Sequence, residues 1–420
     1  MSGTTTLTDA GGTSLFTSAM VGNAIFVNGL WYWIASYTDA NNVVLERSDT
    51  FSGKSGRVGG ASLTIPNVAN STNATYAKCV PGNTIYLRAS GSGSTSSPDY
   101  TIGSGGGTGR LTPVAGTTAA GLVQFFADGG MPYVKFNVDI PFLSASYNLF
   151  NGIYFFFAAS TSTFGMFHAG TNLSIVGCVL DLNSNAANAV GSTAAGVASC
   201  DVVGCEIKGG VSAALSGQMA INQGGNGGLY AGNYIHDVGD VGINVVGNGW
   251  MAASGNVVRN AWGAAMSLTP ASEPSTIANN TLDNGKSHGI VIGNQAAVGY
   301  LDIFNNLVTN FTGTGKYGIT VTGGATPLSD RLKTLIDYNL LYNCTGLYQN
   351  ISAGAHDLNA DPKYVSSTDY RLQSGSPAIG AGYAPSLLNL ANGNNYVDLG
   401  ALQHQDAGGG ATSFCGIIGA

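Results

Sequence analysis

The 420-residue chain carries 15 Lys+Arg and 22 Asp+Glu, only 9% charge, together with 63 glycines and 44% hydrophobic residues. A soluble domain usually carries about 25% charge. That hydrophobic fraction excludes intrinsic disorder, and abundant Gly with scarce Glu and Lys excludes a charged helical bundle. A net charge of −7 and a pI near 5.0 provide no basic field for nucleic acid or anionic lipid. What remains is a large β-rich protein with a polar surface of Ser, Thr, Asn and Gly. No apolar window is long enough to span a bilayer, so no membrane insertion is expected. The opening Met1 to Thr6 lacks the basic start of a signal peptide, which predicts synthesis in a cytoplasm. Six cysteines (Cys79, Cys178, Cys200, Cys205, Cys344 and Cys415) are too few for a disulfide scaffold. None forms a CxxC pair for zinc.

The first segment, Gly22 to Val27, then Asn28-Gly29, then Leu30 to Tyr37, predicts a hairpin closed by a type I′ turn. A turn over Asp39 to Asn42 leads into Val43-Val44-Leu45, so residues 1–65 are predicted to form a small antiparallel β meander, a docking or capping module. With the following Gly59-Gly60-Ala61, this stretch resembles a leader found on β-helix proteins of tailed bacteriophages. The resemblance implies a virion location, with synthesis in the host cytoplasm.

Next, Gly82 to Leu87 and Tyr100 to Ile102 predict the first strands of a larger body, with Gly103 to Gly109 a flexible loop. The run Tyr154 to Phe157 is the most apolar of the chain and is assigned to the core, with sugar stacking as its alternative. From residue 173 a phrase recurs: apolar, any, Gly or Asn, then Asn or Cys, any, apolar. Its key position falls at Cys178, Cys205, Asn233, Asn256, Asn280, Asn306 and Asn339, in steps of 27, 28, 23, 24, 26 and 33 residues. A second polar residue follows four later in the last five copies: Asp237, Asn260, Asn284, Asn310 and Asn343. Such short alternating runs are strands, and one rung cannot bury its inner face alone, so rungs must stack about 4.8 Å apart. Stacking predicts a side-chain ladder of Asn, which also tolerates the left-handed backbone of a sharp corner. Cys178 and Cys205 open that ladder as inert buried thiols.

This pattern predicts an all-β, right-handed parallel β-helix over residues 66–406. Residues 173–345 resemble the repeat region of the pectate-lyase-like β-helix superfamily. The phrases Asn359-Ala-Asp361-Pro362, Asp369-Tyr-Arg-Leu372, Gly375-Ser376-Pro377 and Asp398-Leu-Gly400 resemble its closing coil, placed at 356–406. Residues 407–420 form a Gly-rich tail ending in Phe414 to Ile418, a disordered tail or a docking peptide for a neighbouring subunit.

Enzymes on this fold are polysaccharide lyases and hydrolases, which need a base or paired carboxylates. Lys286-Ser-His288-Gly289 is similar to the Gly-His-Gly phrase of polygalacturonases, but the preceding rung offers Asp240-Val-Gly-Ile-Asn244 in place of two adjacent aspartates, and no Arg-any-Lys follows. Asp237, Asp240, His236 and Arg259, joined by Asp283 and His288, are the candidate catalytic cluster, with a corner-forming role the plainer reading for Asp237. Asp357, Asn359 and Asp361 place three oxygen ligands at alternate positions, a candidate Ca2+ site; no other cofactor is indicated. With 37 charged residues spread over the chain, none visibly converge. The expectation is therefore a virion surface protein (capsid decoration, spike or tail attachment), a homotrimer meeting other virion proteins and a bacterial surface polysaccharide. The alternative is a polysaccharide depolymerase, lyase or glycoside hydrolase.

Overall fold

The structure is a computed structural model that describes residues 4–12, 14–22, 24–27, 30–49, 56–58, 84–102, 122–136, 142–145, 147–158, 167–169, 172–185, 188–192, 199–210, 215, 217–224, 227–246, 250–269, 274–293, 299–322, 332–383 and 397–404. The Asn28-Gly29 turn, the Gly59-Gly60-Ala61 phrase, the Gly103–Gly109 loop, Cys79, Cys415 and the 407–420 tail lie outside these residues.

Alternating short apolar runs fold into coils of three strands each. Trp250–Ser254, Val257–Arg259 and Met266–Leu268 make one coil, and each strand pairs in parallel with its counterparts in the coils before and after. Three flat sheets result. Sheet 1 has ten strands from Thr84–Arg88 to Leu332–Asp337, and sheet 2 has ten from Tyr100–Ile102 to Leu340–Tyr342. Sheet 3 has nine, from Phe142–Ala145 to Gly346–Gln349. Inward side chains fill the lumen in stacked columns. Early coils are aromatic, with Phe125 and Phe150 stacked at 4.7 Å and Phe155 edge-on to Phe167 at 5.1 Å. Later coils are aliphatic, with Ile277, Leu282, Ile290, Ile303, Val308 and Ile319 fully buried. Of the Tyr154–Phe157 run, Phe155 and Phe157 sit in this core, while Tyr154 and Phe156 point to the outer face of sheet 2.

A two-residue corner joins sheet 1 to sheet 2, and its second residue carries the ladder. Asn256 Oδ1 accepts both the backbone N–H and the Nδ2–H of Asn233, at 3.0 and 2.9 Å. The same double bond repeats from Asn256 to Asn280, Asn280 to Asn306 and Asn306 to Asn339. Each remaining Nδ2–H reaches a backbone carbonyl, such as Ala253 O from Asn280 at 3.0 Å. At the early end Cys178 N–H meets Cys205 Sγ at 3.4 Å, and Cys205 N–H meets Asn233 Oδ1 at 2.9 Å. At the late end the column stops on Asp357, whose Oδ1 accepts Asn339 N–H at 2.6 Å.

The left-handed corner residue is not the ladder Asn, as the sequence suggested, but the residue before it. Gly177, Gly204, Gly232, Gly255, Asn279, Asn305 and Tyr338 all have φ between 55° and 67°. The ladder position is selected for its amide, not for its backbone freedom. The second polar set is the left-handed one, from Asp237 at φ 55° to Asn343 at φ 51°. It forms its own half-exposed ladder with the opposite polarity, later coil donating to earlier: Asn260 to Asp237 at 2.8 Å, Asn284 to Asn260 at 2.5 Å, Asn343 to Asn310 at 2.6 Å. That ladder breaks once, where Asn310 donates to Asp283 at 2.7 Å.

The N-terminal strands form a five-stranded antiparallel sheet in the order Thr4–Thr8, Asn42–Asp49, Leu30–Asp39, Ala24–Val27, Gly56–Val58. Its own core contains Ile25, Val27, Tyr32, Ile34, Val43 and Leu45. It meets the first coils through Trp33, whose Nε1–H donates to Asp128 at 3.1 Å beneath the Arg88 guanidinium.

The closing segment behaves differently from a coil. Only Leu358 continues sheet 2, by a single parallel bridge to Leu340. The chain then folds back over the outer face of sheet 2, because Leu307 and Leu340 put apolar side chains outward there and Leu372, Ala378 and Leu399 cover them. Tyr370 O–H donates to Asp283 at 2.8 Å, and Ala401 N–H donates to Thr281 Oγ1 at 3.0 Å. Gly400 is required at this contact, since at φ +94° a Cβ would stand 2.5 Å from Leu307 Cδ1.

Candidate functional site

The fold-back covers the last rungs of sheet 2 and leaves the preceding rungs open. In each strand of that sheet the side chains one and three positions after the ladder residue point outward, so register stacks them into two columns. One column contains Tyr133, Tyr154, Val179, Glu206, Tyr234 and Val257; the other contains Lys135, Phe156, Asp181, Lys208, His236 and Arg259. Charged and aromatic residues that are scattered through the sequence thus converge on one strip, contrary to the sequence expectation.

Their contacts are mutual. Tyr133 and Tyr154 stack at 4.3 Å, Tyr154 O–H donates to Asp181 at 2.7 Å, and Lys208 Nζ lies 5.3 Å over the Tyr154 ring. The same ammonium stands 3.8 Å from Asp181 and 3.5 Å from Glu206. His236 bridges Glu206 through Nε2 at 3.2 Å and Asp237 through Nδ1 at 2.7 Å. Tyr234 stacks on the His236 ring at 4.5 Å and hydrogen-bonds Arg259. Lys208, His236 and Arg259 follow one another in one column, and the carboxylates of Asp181, Glu206 and Asp237 beside them offset that charge at a rung spacing of about 4.8 Å. The His236 hydrogen bond, and then Lys208, outweigh burial and hold the Glu206 carboxyl below its ordinary value. Burial pushes Asp237 upward, but the His236 and Asn260 hydrogen bonds outweigh it and its net shift is also downward. Burial and the Asp181 contact push the Tyr154 hydroxyl up, so it stays a donor.

Of the candidate catalytic residues, the structure brings Asp237 and Arg259 to this strip and leaves Asp240 and His288 elsewhere. Asp240 lies at the corner into sheet 3, where its Oδ2 accepts Gly217 N–H at 3.0 Å. His288 is half-buried ahead of sheet 3, its Nδ1 accepting Tyr317 N–H at 3.1 Å. Burial, then Lys316, lower its pKa, so the neutral ring that accepts this bond is favoured. Asp283 occupies the same outward column as Arg259 but is sealed under Tyr370 and Thr309. Sequence reasoning missed Tyr133, Tyr154, Asp181, Glu206, Lys208 and Tyr234. Reading the repeat one and three places past the ladder residue, instead of at it, exposes most of them.

The three candidate calcium ligands serve separate ends. Both Asp357 oxygens take protein donors: Asn339 on Oδ1, and Tyr348 O–H at 2.5 Å and Gly354 N–H at 2.6 Å on Oδ2. Asp361 caps Lys363 N–H at 2.8 Å, and Asn359 lies between them in the same segment. Among the described residues no group of three His, Cys, Asp or Glu side chains is placed to share a metal ion.

The family described as the right-handed β-helix region matches residues 164–345. The solenoid is a right-handed parallel β-helix. Among solved structures, pectate lyase Pel9A is similar to 79% of this chain over 90% of its own, at 16% identity and a TM-score of 0.41. A comparison with curated proteins finds no match.

Proposed function

We propose that the protein is a bacteriophage virion surface element, of the capsid decoration, spike or tail attachment kind, whose β-helix binds a bacterial surface polysaccharide without cleaving it. The observation that carries the binding part is the open strip on sheet 2. Tyr133 and Tyr234 line one column, with the buried Tyr154 packed beside Tyr133, next to Asp181, Lys208, His236 and Arg259 in the other. Tyrosine supplies a flat apolar face for a sugar ring and a polar edge for its hydroxyls. Binding is favoured over hydrolysis because a general acid at neutral pH needs a raised carboxyl pKa. Glu206 and Asp237 are shifted downward instead. The virion assignment is supported by the phage-like wording of the leader, and it carries with it other virion proteins and a homotrimer as partners.

The test is calorimetric titration against a panel of purified capsule and lipopolysaccharide glycans, with reducing ends and unsaturated products assayed in parallel. Binding of a panel member that weakens at least tenfold in Tyr133→Ala and Tyr234→Ala, with no product released, is the expected result. Product release abolished by Glu206→Gln would replace this reading with a depolymerase. Co-sedimentation with phage particles tests the virion assignment separately.

A further inference from the structure

The open strip on sheet 2 has a closed end. Both of its columns run into the fold-back at the coil of Asn280. In the column of Tyr234 and Val257 the next residue is Thr281, buried under the Ala401 backbone, whose N–H donates to Thr281 Oγ1 at 3.0 Å. In the column of His236 and Arg259 the next is Asp283, buried under Tyr370, whose hydroxyl donates to it at 2.8 Å. Tyr364 packs edge-on to Tyr370 at 5.0 Å. A layer packed on a sheet lies on the order of 10 Å above it, so the strip ends at a step. The step is clasped to the coils: Gly400 N–H donates to Asn305 O at 2.8 Å, and Leu372, Ala378 and Leu399 pack on Leu307 and Leu340.

Arg259 stands at the foot of that step. Its half-buried guanidinium hydrogen-bonds Tyr234, and Asp237 and Tyr370 are near enough to feel its charge. Among the described residues it makes no ion pair, because the neighbouring carboxylates are engaged: Asp237 by His236 and Asn260, Asp283 by Tyr370, Thr309 and Asn310. A guanidinium carries five N–H donors in a planar fork, so Arg259 keeps donors for a ligand.

Register also sets the direction in which a glycan lies. Across a strand the two outward positions are only about 7 Å apart, whereas along the axis the rungs from Tyr133 to Val257 are separated by steps of about 4.8 Å and span ~24 Å. A sugar chain therefore meets several rungs only by running along the columns. Resting on the polysaccharide-binding reading of this strip, we infer that it takes the end of a glycan chain and not an internal stretch. The terminal sugar lies against the step, in contact with Tyr234 and Arg259, and the rest of the chain leaves toward Tyr133. A chain that continued in both directions would have to climb over Tyr370 and Ala401. Arg259 is the specificity-determining residue, placed to donate to the hydroxyl that a terminal sugar leaves unlinked.

The test is the molar stoichiometry of calorimetric titration with the full chain. Each capsule and lipopolysaccharide glycan of the panel is supplied intact and as much shorter fragments cut by mild acid. One protein chain bound per glycan chain at both lengths is the expected result, with Arg259→Gln weakening binding at least tenfold. A number of protein chains per glycan chain that grows with its length overturns the inference and leaves the binding reading standing. Arg259→Gln that binds as tightly as the wild type removes Arg259 from the contact and also overturns it. Failure to bind every glycan, intact or cut, overturns both ideas together. Stoichiometry is read on the wild type, so the decision stands even where Arg259→Gln does not fold.

Discussion

Asn280 offers the sharpest test of what holds the coils together. Its side chain is fully buried and makes five hydrogen bonds. Oδ1 accepts Asn256 N–H at 3.0 Å and Asn256 Nδ2–H at 2.9 Å, while Nδ2–H reaches Asn306 Oδ1, Ala253 O and Ala278 O, each at 3.0 Å. Asn280→Ala orphans the Asn256 N–H outright. Asn256 Nδ2 keeps Tyr230 O at 2.7 Å, and Asn306 Oδ1 keeps the Asn280 backbone N–H at 3.0 Å, so these two are only weakened. The cost is therefore one stranded donor plus two under-satisfied carbonyls, at about 1–3 kcal/mol for the donor and less for each carbonyl, or roughly 3–5 kcal/mol together. Asn284→Ala serves as the comparison, because Asn284 donates to Asn260 from the half-exposed outer ladder, where water replaces the lost bond at about 0.5 kcal/mol and an alanine at φ 54° adds about 1 kcal/mol of strain. Urea unfolding followed by far-UV circular dichroism gives both changes from the shift in midpoint at constant m. An Asn280→Ala cost below about 1 kcal/mol, or one equal to that of Asn284→Ala, refutes the view that buried amide satisfaction holds the stack.

Two further outcomes probe the fold-back and the strip. Tyr370→Phe removes the hydroxyl that donates to buried Asp283, and a hydrogen bond to a charged group should cost about 1.5–3 kcal/mol. Limited proteolysis should then cut within residues 360–404 well before the coils, and an unchanged digestion pattern rejects the clasp. Glu206 and Asp237 both have folded-state pKa values below their unfolded ones, so their contribution is complete above the ordinary carboxylate range, near pH 4, and drains as pH falls through the depressed values. His236→Gln, which weakens both contacts, should flatten the loss of thermal midpoint between pH 5 and pH 3; an acid limb as steep as that of the wild type counts against His236 as the cause.

The coil architecture was legible because stacking forces one sequence rule on every rung, and the ladder positions from Cys178 to Asn339 obey it. What the repeat could not reveal was the division of labour at the corner. Gly255 and Asn256 look interchangeable in a sequence, yet one supplies backbone freedom and the other an amide. The strip on sheet 2 was half legible: His236, Asp237 and Arg259 attract notice as titratable neighbours, whereas Glu206 and Lys208 lie 30 and 28 residues before His236 and meet it only through register. Tyr154 was read from its run of aromatics as core, although its ring faces Lys208 and its hydroxyl Asp181. The path of the closing segment was invisible because two leucines decide it, Leu307 and Leu340, in columns where earlier coils place Glu206, Tyr234 or Thr281.

The end of the inner ladder shows why an aspartate stands where the repeat would continue with asparagine. Every ladder Asn uses its oxygen toward the preceding coil and its NH2 toward the next, so the column has a direction and must finish on a group that only accepts. Asp357 meets that condition with Asn339 N–H and Nδ2–H on Oδ1, at 2.6 and 3.3 Å, and with Tyr348 O–H and Gly354 N–H on Oδ2. Burial and the Asp357 contact push the Tyr348 hydroxyl up, so it remains a donor at any physiological pH. Asp357→Asn is isosteric, yet it turns two donors toward Gly354 N–H, a donor that cannot reverse, while Tyr348 can rotate to accept. One stranded N–H against an NH2 group is worth about 1–3 kcal/mol, which the urea midpoint should show with or without calcium in the buffer. A destabilisation that appears only in calcium would instead make Asp357 a metal ligand and leave the polarity of the ladder unexplained. Asn280→Asp is the converse swap: it removes two N–H donors, which three acceptors share, from the middle of the same column and should cost more than Asp357→Asn, because its carboxylate faces the carbonyls of Ala253 and Ala278 and the Asn306 oxygen. An Asn280→Asp variant as stable as the wild type would mean that the direction of the ladder is incidental to the fold.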